Sequence, residues 1–156
     1  MKKGFTLIEV LVAATIIVVL ASVAIASYST ASKNSRDAKR KADLANVAAA
    51  LELYRADNSG AYILVSGAQR VDTGLTALEP TYINDLPVDP KPISSQAAGG
   101  YKYTNMLPPT AYKYCLFAVM ENVSNGNGTT DGNNPCGYIH NSGNPSINYN
   151  YFIPNP

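Results

Sequence analysis

Phe5-Thr6-Leu7-Ile8-Glu9-Val10-Leu11-Val12-Ala13-Ala14-Thr15-Ile16-Ile17-Val18-Val19-Leu20-Ala21-Ser22-Val23-Ala24-Ile25-Ala26 carries one charge, Glu9, and is otherwise apolar or small. As a helix these 22 residues span roughly 33 Å, enough to cross a bilayer. A helix buried in a soluble core is rarely apolar on every face for this long. Three readings fit the run: a secretory signal peptide with Ala24-Ile25-Ala26 as its cleavage site, a plain single-pass anchor, or a segment whose leader is removed before the apolar stretch. Glu9 separates them. A carboxylate inside such a segment costs about 2.5–3.5 kcal/mol on insertion scales, so a pure anchor or signal gains by losing it. A cut after Gly4 gives Phe5 a free α-amine one helical turn from Glu9. In a bundle of staggered identical helices, Glu9 of one copy pairs with that amine of the next.

The rest of the chain differs in kind. Its 156 residues suit one compact domain, and residues 58–156 hold most of the Gly, Asn, Pro and Tyr. The net charge is +1; without Lys2 and Lys3, 10 basic residues face 11 acidic ones. No global excess therefore draws the chain to nucleic acid or acidic lipid. Cys115 and Cys136 allow one disulfide, expected if the C-terminal region meets an oxidising compartment.

Lys3-Gly4-Phe5-Thr6-Leu7-Ile8-Glu9-Val10 resembles the class III leader shared by type IV pilins and type II secretion pseudopilins. The resemblance implies a leader at 1–4, cut between Gly4 and Phe5 by a prepilin peptidase that also N-methylates Phe5, with Glu9 serving assembly. It implies a transmembrane and filament-core helix over 5–26, its N-terminus inside although Lys33, Arg36, Lys39, Arg40 and Lys41 favour the opposite orientation under the positive-inside rule. Many type IV pilins carry a helix-breaking Pro late in this segment, with a Gly some eight residues earlier. Neither stands between Val18 and Ala26, so a more continuous helix is expected.

Residues 27–57 contain no Pro or Gly, and Leu44, Val47, Leu51 and Tyr54 recur at helical spacing. Ala45, Ala48 and Ala49 are expected to widen that face. Arg36, Lys39, Arg40, Asp43 and Arg55 read as its polar side, and Asp37 with Lys41 as an exposed i,i+4 pair. The helix is expected to stop at Asn58-Ser59-Gly60, since Gly takes the left-handed cap. Arg36, Lys39, Arg40 and Lys41 read first as a solvated face; the sharper alternative is a basic contact face for DNA, lipid or another subunit.

Ala61–Gly74 reads as a loop, and Leu75–Glu79 as a short helical turn stopped by Pro80. Tyr82-Ile83-Asn84-Asp85-Leu86-Pro87-Val88-Asp89-Pro90 resembles a Tyr-Ile-x-x-Leu-Pro-x-Asp-Pro segment of major pseudopilins and many short type IV pilins. Asp85 and Asp89 there read as turn formers, not a catalytic pair. Strands are expected at Gly100–Thr104 and Ala111–Met120, with weaker ones at Cys136–His140 and Asn148–Ile153, separated by a turn at Leu107–Thr110. The fold class is α+β: a long helix packed on a small antiparallel sheet, a pilin-like α/β roll with its globular head over 58–156.

No catalytic chemistry is expected. His140 is the lone histidine, and no phosphate-binding glycine loop or nucleophile elbow occurs. Asn127–Gly132 starts like a calcium loop, but Tyr138 stands where its closing Glu belongs; no metal or other cofactor is expected, calcium being the one alternative, known in major pseudopilins. The resemblance implies a major pilin of a type IV pilus-like filament serving adhesion, motility or DNA uptake. Its implied partners are copies of itself, the peptidase, and an inner-membrane assembly platform with its ATPase. It would sit in the inner membrane first, then in an extracellular or periplasmic filament of a bacterium. A disulfide loop at 115–136 would lie on the outer surface. The alternatives are a major pseudopilin of a type II secretion system and, in a different class, a DNA- or surface-binding minor pilin.

Overall fold

A computed structural model describes residues 4–91, 100–105, 112–126 and 151–154, the side chains of Ala24 and Ala26 excepted. One helix, α1 (Leu7–Asp57), runs unbroken for 51 residues, about 76 Å. With no Pro or Gly in that span, nothing interrupts its hydrogen-bond ladder, as expected. Thr15 Oγ1 donates to the Val12 carbonyl at 2.8 Å and Ser22 Oγ to that of Val19 at 2.7 Å. The hydroxyls of the apolar half are thus satisfied within the helix, as an apolar surrounding requires. At the far end Ser59 (φ 56°) and Gly60 (φ 82°) turn left-handed, and Gly60 N–H closes on the Arg55 carbonyl at 3.0 Å.

The head packs on the C-terminal half of α1. Four antiparallel strands lie in the order β1 (Gln69–Arg70), β2 (Lys102–Asn105), β3 (Tyr114–Ala118) and β4 (Tyr151–Pro154). Tyr103 pairs with Leu116, and Leu116 with Ile153. Side chains alternate across the sheet. Tyr103, Tyr114, Leu116 and Ala118 join Leu44, Val47, Ala50 and Leu51 of α1 in the core. Thr104, Cys115, Phe117 and Phe152, on the other face, are buried as well. Burial on both faces explains why Tyr114-Cys115-Leu116-Phe117-Ala118 reads as a continuous apolar run without alternation.

Several expectations need correction. The helical face is sealed at Leu44, Val47 and Leu51, with Tyr54 and, as expected, Ala48 packed at its edge, but its buried small residue is Ala50; Ala45 and Ala49 are exposed. The 61–74 stretch is not all loop: it holds β1 and a short helix α2 (Val71–Gly74). A two-residue Gln-Arg strand has no pattern of its own; pairing with Tyr103 and Lys102 creates it. The turn before Pro80 is present as a 3-10 turn at Thr76–Leu78. Leu107–Thr110, Cys136–His140 and the start of Asn148–Ile153 lie outside the described residues.

Candidate functional site

Gly4, Phe5 and Thr6 precede α1, and Thr6 is its N-cap in extended geometry (φ −81°, ψ 152°). Four N–H groups at a helix start lack intrahelical partners. Thr6 and Glu9 satisfy two reciprocally: Glu9 N–H donates to Thr6 Oγ1 at 3.3 Å, and Thr6 N–H to Glu9 Oε2 at 2.8 Å. The Thr6 hydroxyl adds a third bond to Oε2 at 2.8 Å. This is a capping box. Its Thr-x-x-Glu signature stands in the sequence, and reading Glu9 only as a stranded acid passed over it. The other oxygen, Oε1, has no partner among the described residues. Phe5 is 89 % exposed, and a side chain added at Gly4 would meet nothing within 4 Å.

Beyond the cap, the large apolar side chains from Leu7 to Val23 are between 49 % and 83 % exposed. The head covers none of them. A hollow over Ala13, framed by Ile8, Glu9, Val12 and Ile16, opens beside the acid. Gly4 and Phe5, the acid and an uncovered apolar rod therefore share one end of the molecule.

The expected basic face loses Arg40 to the interior, while the Lys39 side chain stays 54 % exposed. Arg40 is 1 % exposed, and all five of its N–H donors are engaged. Nε and Nη2 grip Asp89 at 3.0 and 2.8 Å, Nη1 reaches Asp37 at 2.8 Å and Glu121 at 3.2 Å, and Nη2 also meets the Lys91 carbonyl at 3.3 Å. Arg36 forks onto Glu121 through Nε and Nη2, the latter at 2.7 Å. Lys39 reaches Asp43 at 3.1 Å, and Lys41 Nζ sits 5.3 Å over the Tyr151 ring. Asp37, expected as half of an exposed pair with Lys41, is fully buried. It accepts the Glu121 and Asn122 N–H groups and the Asn125 side chain, each at 2.9 Å. Asp89 forms its turn, accepting Lys91 N–H at 2.8 Å, while also anchoring Arg40.

These charges bind the helix to two distant segments where α1 enters the head. Arg36 first, then Arg40, holds the Glu121 carboxyl down to about 2 against some opposing burial. Burial pushes Asp37 up, but donors from Asn125, Asn122, Glu121 and Arg40 outweigh it and keep its carboxyl below the usual range. Burial works against the Arg40 charge, and Asp89, Asp37 and Glu121 more than restore it.

Cys115 is fully buried in β3 and is not a free thiol; its expected partner Cys136 lies outside the described residues. So do His140 and the Asn127–Gly132 loop considered for calcium. Among the described residues, no group of three or more His, Cys, Asp or Glu is arranged to hold a metal ion.

Residues 1–25 match the family model described as the prokaryotic N-terminal methylation motif. No curated protein and no solved structure matches the chain. The match covers Gly4, Phe5, Thr6, Glu9 and most of the uncovered rod; that motif's family is structural, not enzymatic. Together with an apolar helix that fits membrane anchoring, it places at the start of the chain the class III prepilin leader of type IV pilins and pseudopilins.

Proposed function

We propose that the chain is the major structural subunit of a type IV pilus-like filament. The precursor rests in the inner membrane with residues 7–23 in lipid. A prepilin peptidase cuts between Gly4 and Phe5 and methylates the new amine, and the assembly machinery then moves α1 from lipid into a bundle of identical helices. One observation carries this reading: an apolar rod continuous with the head's own helix, which the fold leaves bare. Water does not tolerate so large a contiguous apolar surface, so lipid or other copies must cover it. In the bundle, protein packing replaces lipid contact, and small residues such as Ala13 let helices approach closely. Glu9 Oε1, left over by the capping box, is the acceptor for the Phe5 ammonium of a neighbouring copy.

The decisive experiment is Gly4→Val. Gly4 has open space around it, so the change leaves the chain's fold intact and touches only recognition of the junction. An uncut, unmethylated precursor by mass spectrometry and absence of filaments are expected; a normal mature N-terminus at Phe5 would refute the assignment. The major-pseudopilin reading is favoured by the 82–90 segment, whose Leu86 and Asp89 are buried on the head–helix junction. Electron microscopy of sheared surface filaments decides between them, since a pseudopilus remains periplasmic.

A further inference from the structure

The first helical bond of α1 runs from Val10 N–H to the Thr6 carbonyl at 3.4 Å, which leaves Gly4 and Phe5 outside the helix. Had the helix begun two residues earlier, Ile8 N–H would bond the Gly4 carbonyl and Glu9 N–H the Phe5 carbonyl. The Gly4 carbonyl is the group attacked when the leader is removed. Hydrolysis adds the OH of water to that carbon and a proton to the Phe5 nitrogen, giving a Gly4 carboxylate and a Phe5 ammonium. A carbonyl wound into a helix is both hydrogen-bonded and curled away from the extended geometry in which peptidases bind chains.

The pressure to wind it in is strong. At the edge of a bilayer an unpaired N–H is costly, and the cheapest remedy is another turn of helix. The Thr6 hydroxyl removes that pressure by taking Glu9 N–H itself, while Glu9 Oε2 takes Thr6 N–H. We propose that Thr6 is a positioning residue for leader removal: its capping box ends the helix two residues past the Gly4–Phe5 bond and holds the scissile carbonyl free. This rests on the reading that the chain is cut after Gly4, and the family-motif match over 1–25 points independently to processing at that place.

The test uses the full-length precursor in phospholipid vesicles with purified prepilin peptidase. Thr6→Val, which keeps the shape but lacks the hydroxyl, slows leader removal about 3- to 30-fold, in proportion to the population of the unwound junction. Thr6→Ala is at least as slow, and Thr6→Ser restores the rate. Gly-Phe occurs once in the chain, so carbonyl-13C glycine with 15N phenylalanine reports the scissile carbonyl alone by NMR in micelles. Its shift moves to the helical value in T6V and T6A and stays extended in wild type and T6S. A residue that merely stabilised the helix would leave that signal unmoved. Wild-type cleavage rates in T6V and T6A, or an unshifted Gly4 carbonyl in both, overturn the proposal while leaving the filament reading standing. A wild-type chain that is not cut after Gly4 overturns both.

Discussion

Arg40 uses every donor it has on groups inside the protein, and that makes it the most sensitive single position in the head. Arg40→Ala leaves Asp37 and Asp89 buried without their cation, a change expected to cost about 3–5 kcal/mol; urea unfolding of the full chain in micelles measures it. A loss below about 1 kcal/mol would mean the cluster behaves like a surface ion pair. Glu121 carries the matching pH dependence. Its carboxyl titrates near 2 in the folded protein instead of its ordinary 4.5, so the ionised form stabilises the head above pH 4.5 and that stability fades as the pH falls from 4.5 towards 2. The amount is on the order of 2 kcal/mol once the partly exposed rim is discounted. Glu121→Gln should flatten this acid limb in near-UV circular dichroism, and an unchanged limb would exclude Glu121 as its source. None of this cluster was legible in the sequence. Spacing placed Arg36, Arg40 and Asp37 on a helix face but not what covers it, since Asp89 is 49 positions from Arg40 and Glu121 is 81.

The helix divides into two working halves, and the same kind of substitution should act oppositely in each. Leu51 is fully buried between α1 and the sheet, so Leu51→Ala opens a cavity and costs the head about 2–5 kcal/mol. Leu11 is 56 % exposed and touches no part of the head. Leu11→Ala should leave the denaturation midpoint within about 0.5 kcal/mol of wild type yet reduce sheared filament yield several-fold. Equal loss of head stability in both variants would show that the halves are not independent. At this scale the sequence was most readable. Length, apolarity and the missing Pro and Gly foretold an unbroken α1, and Ser59-Gly60 foretold its end. Patterning also found β3, though not its termini. What it could not find were elements made by their partners: β1 exists through β2, and Ala50 rather than Ala45 or Ala49 meets the core because helical phase is fixed only once Leu44, Val47 and Leu51 are seated together.

At the scale of the whole molecule the question is whether Glu9 serves its own helix or another copy. The fold gives it a local task, since the capping box satisfies Thr6 and Glu9 backbone donors within one chain. The proposed filament gives it a second, compensating the Phe5 ammonium of a neighbour through the remaining oxygen. Glutamine separates these tasks, because it closes a capping box as glutamate does but carries no charge. Glu9→Gln and Glu9→Ala should both insert, the membrane step being easier without the acid, and both should lose the leader. If the charge between copies sets assembly, both variants fail to enter filaments, with sheared yield down about 10-fold or more, as the loss of a charge-assisted bond of roughly 1.5–3 kcal/mol per contact implies. If Glu9 only caps its own helix, E9Q assembles like wild type and E9A alone is impaired. Quantifying mature subunit in sheared and membrane fractions distinguishes the outcomes, and wild-type filament yield from E9Q would end the inter-subunit pairing while leaving the cap in place.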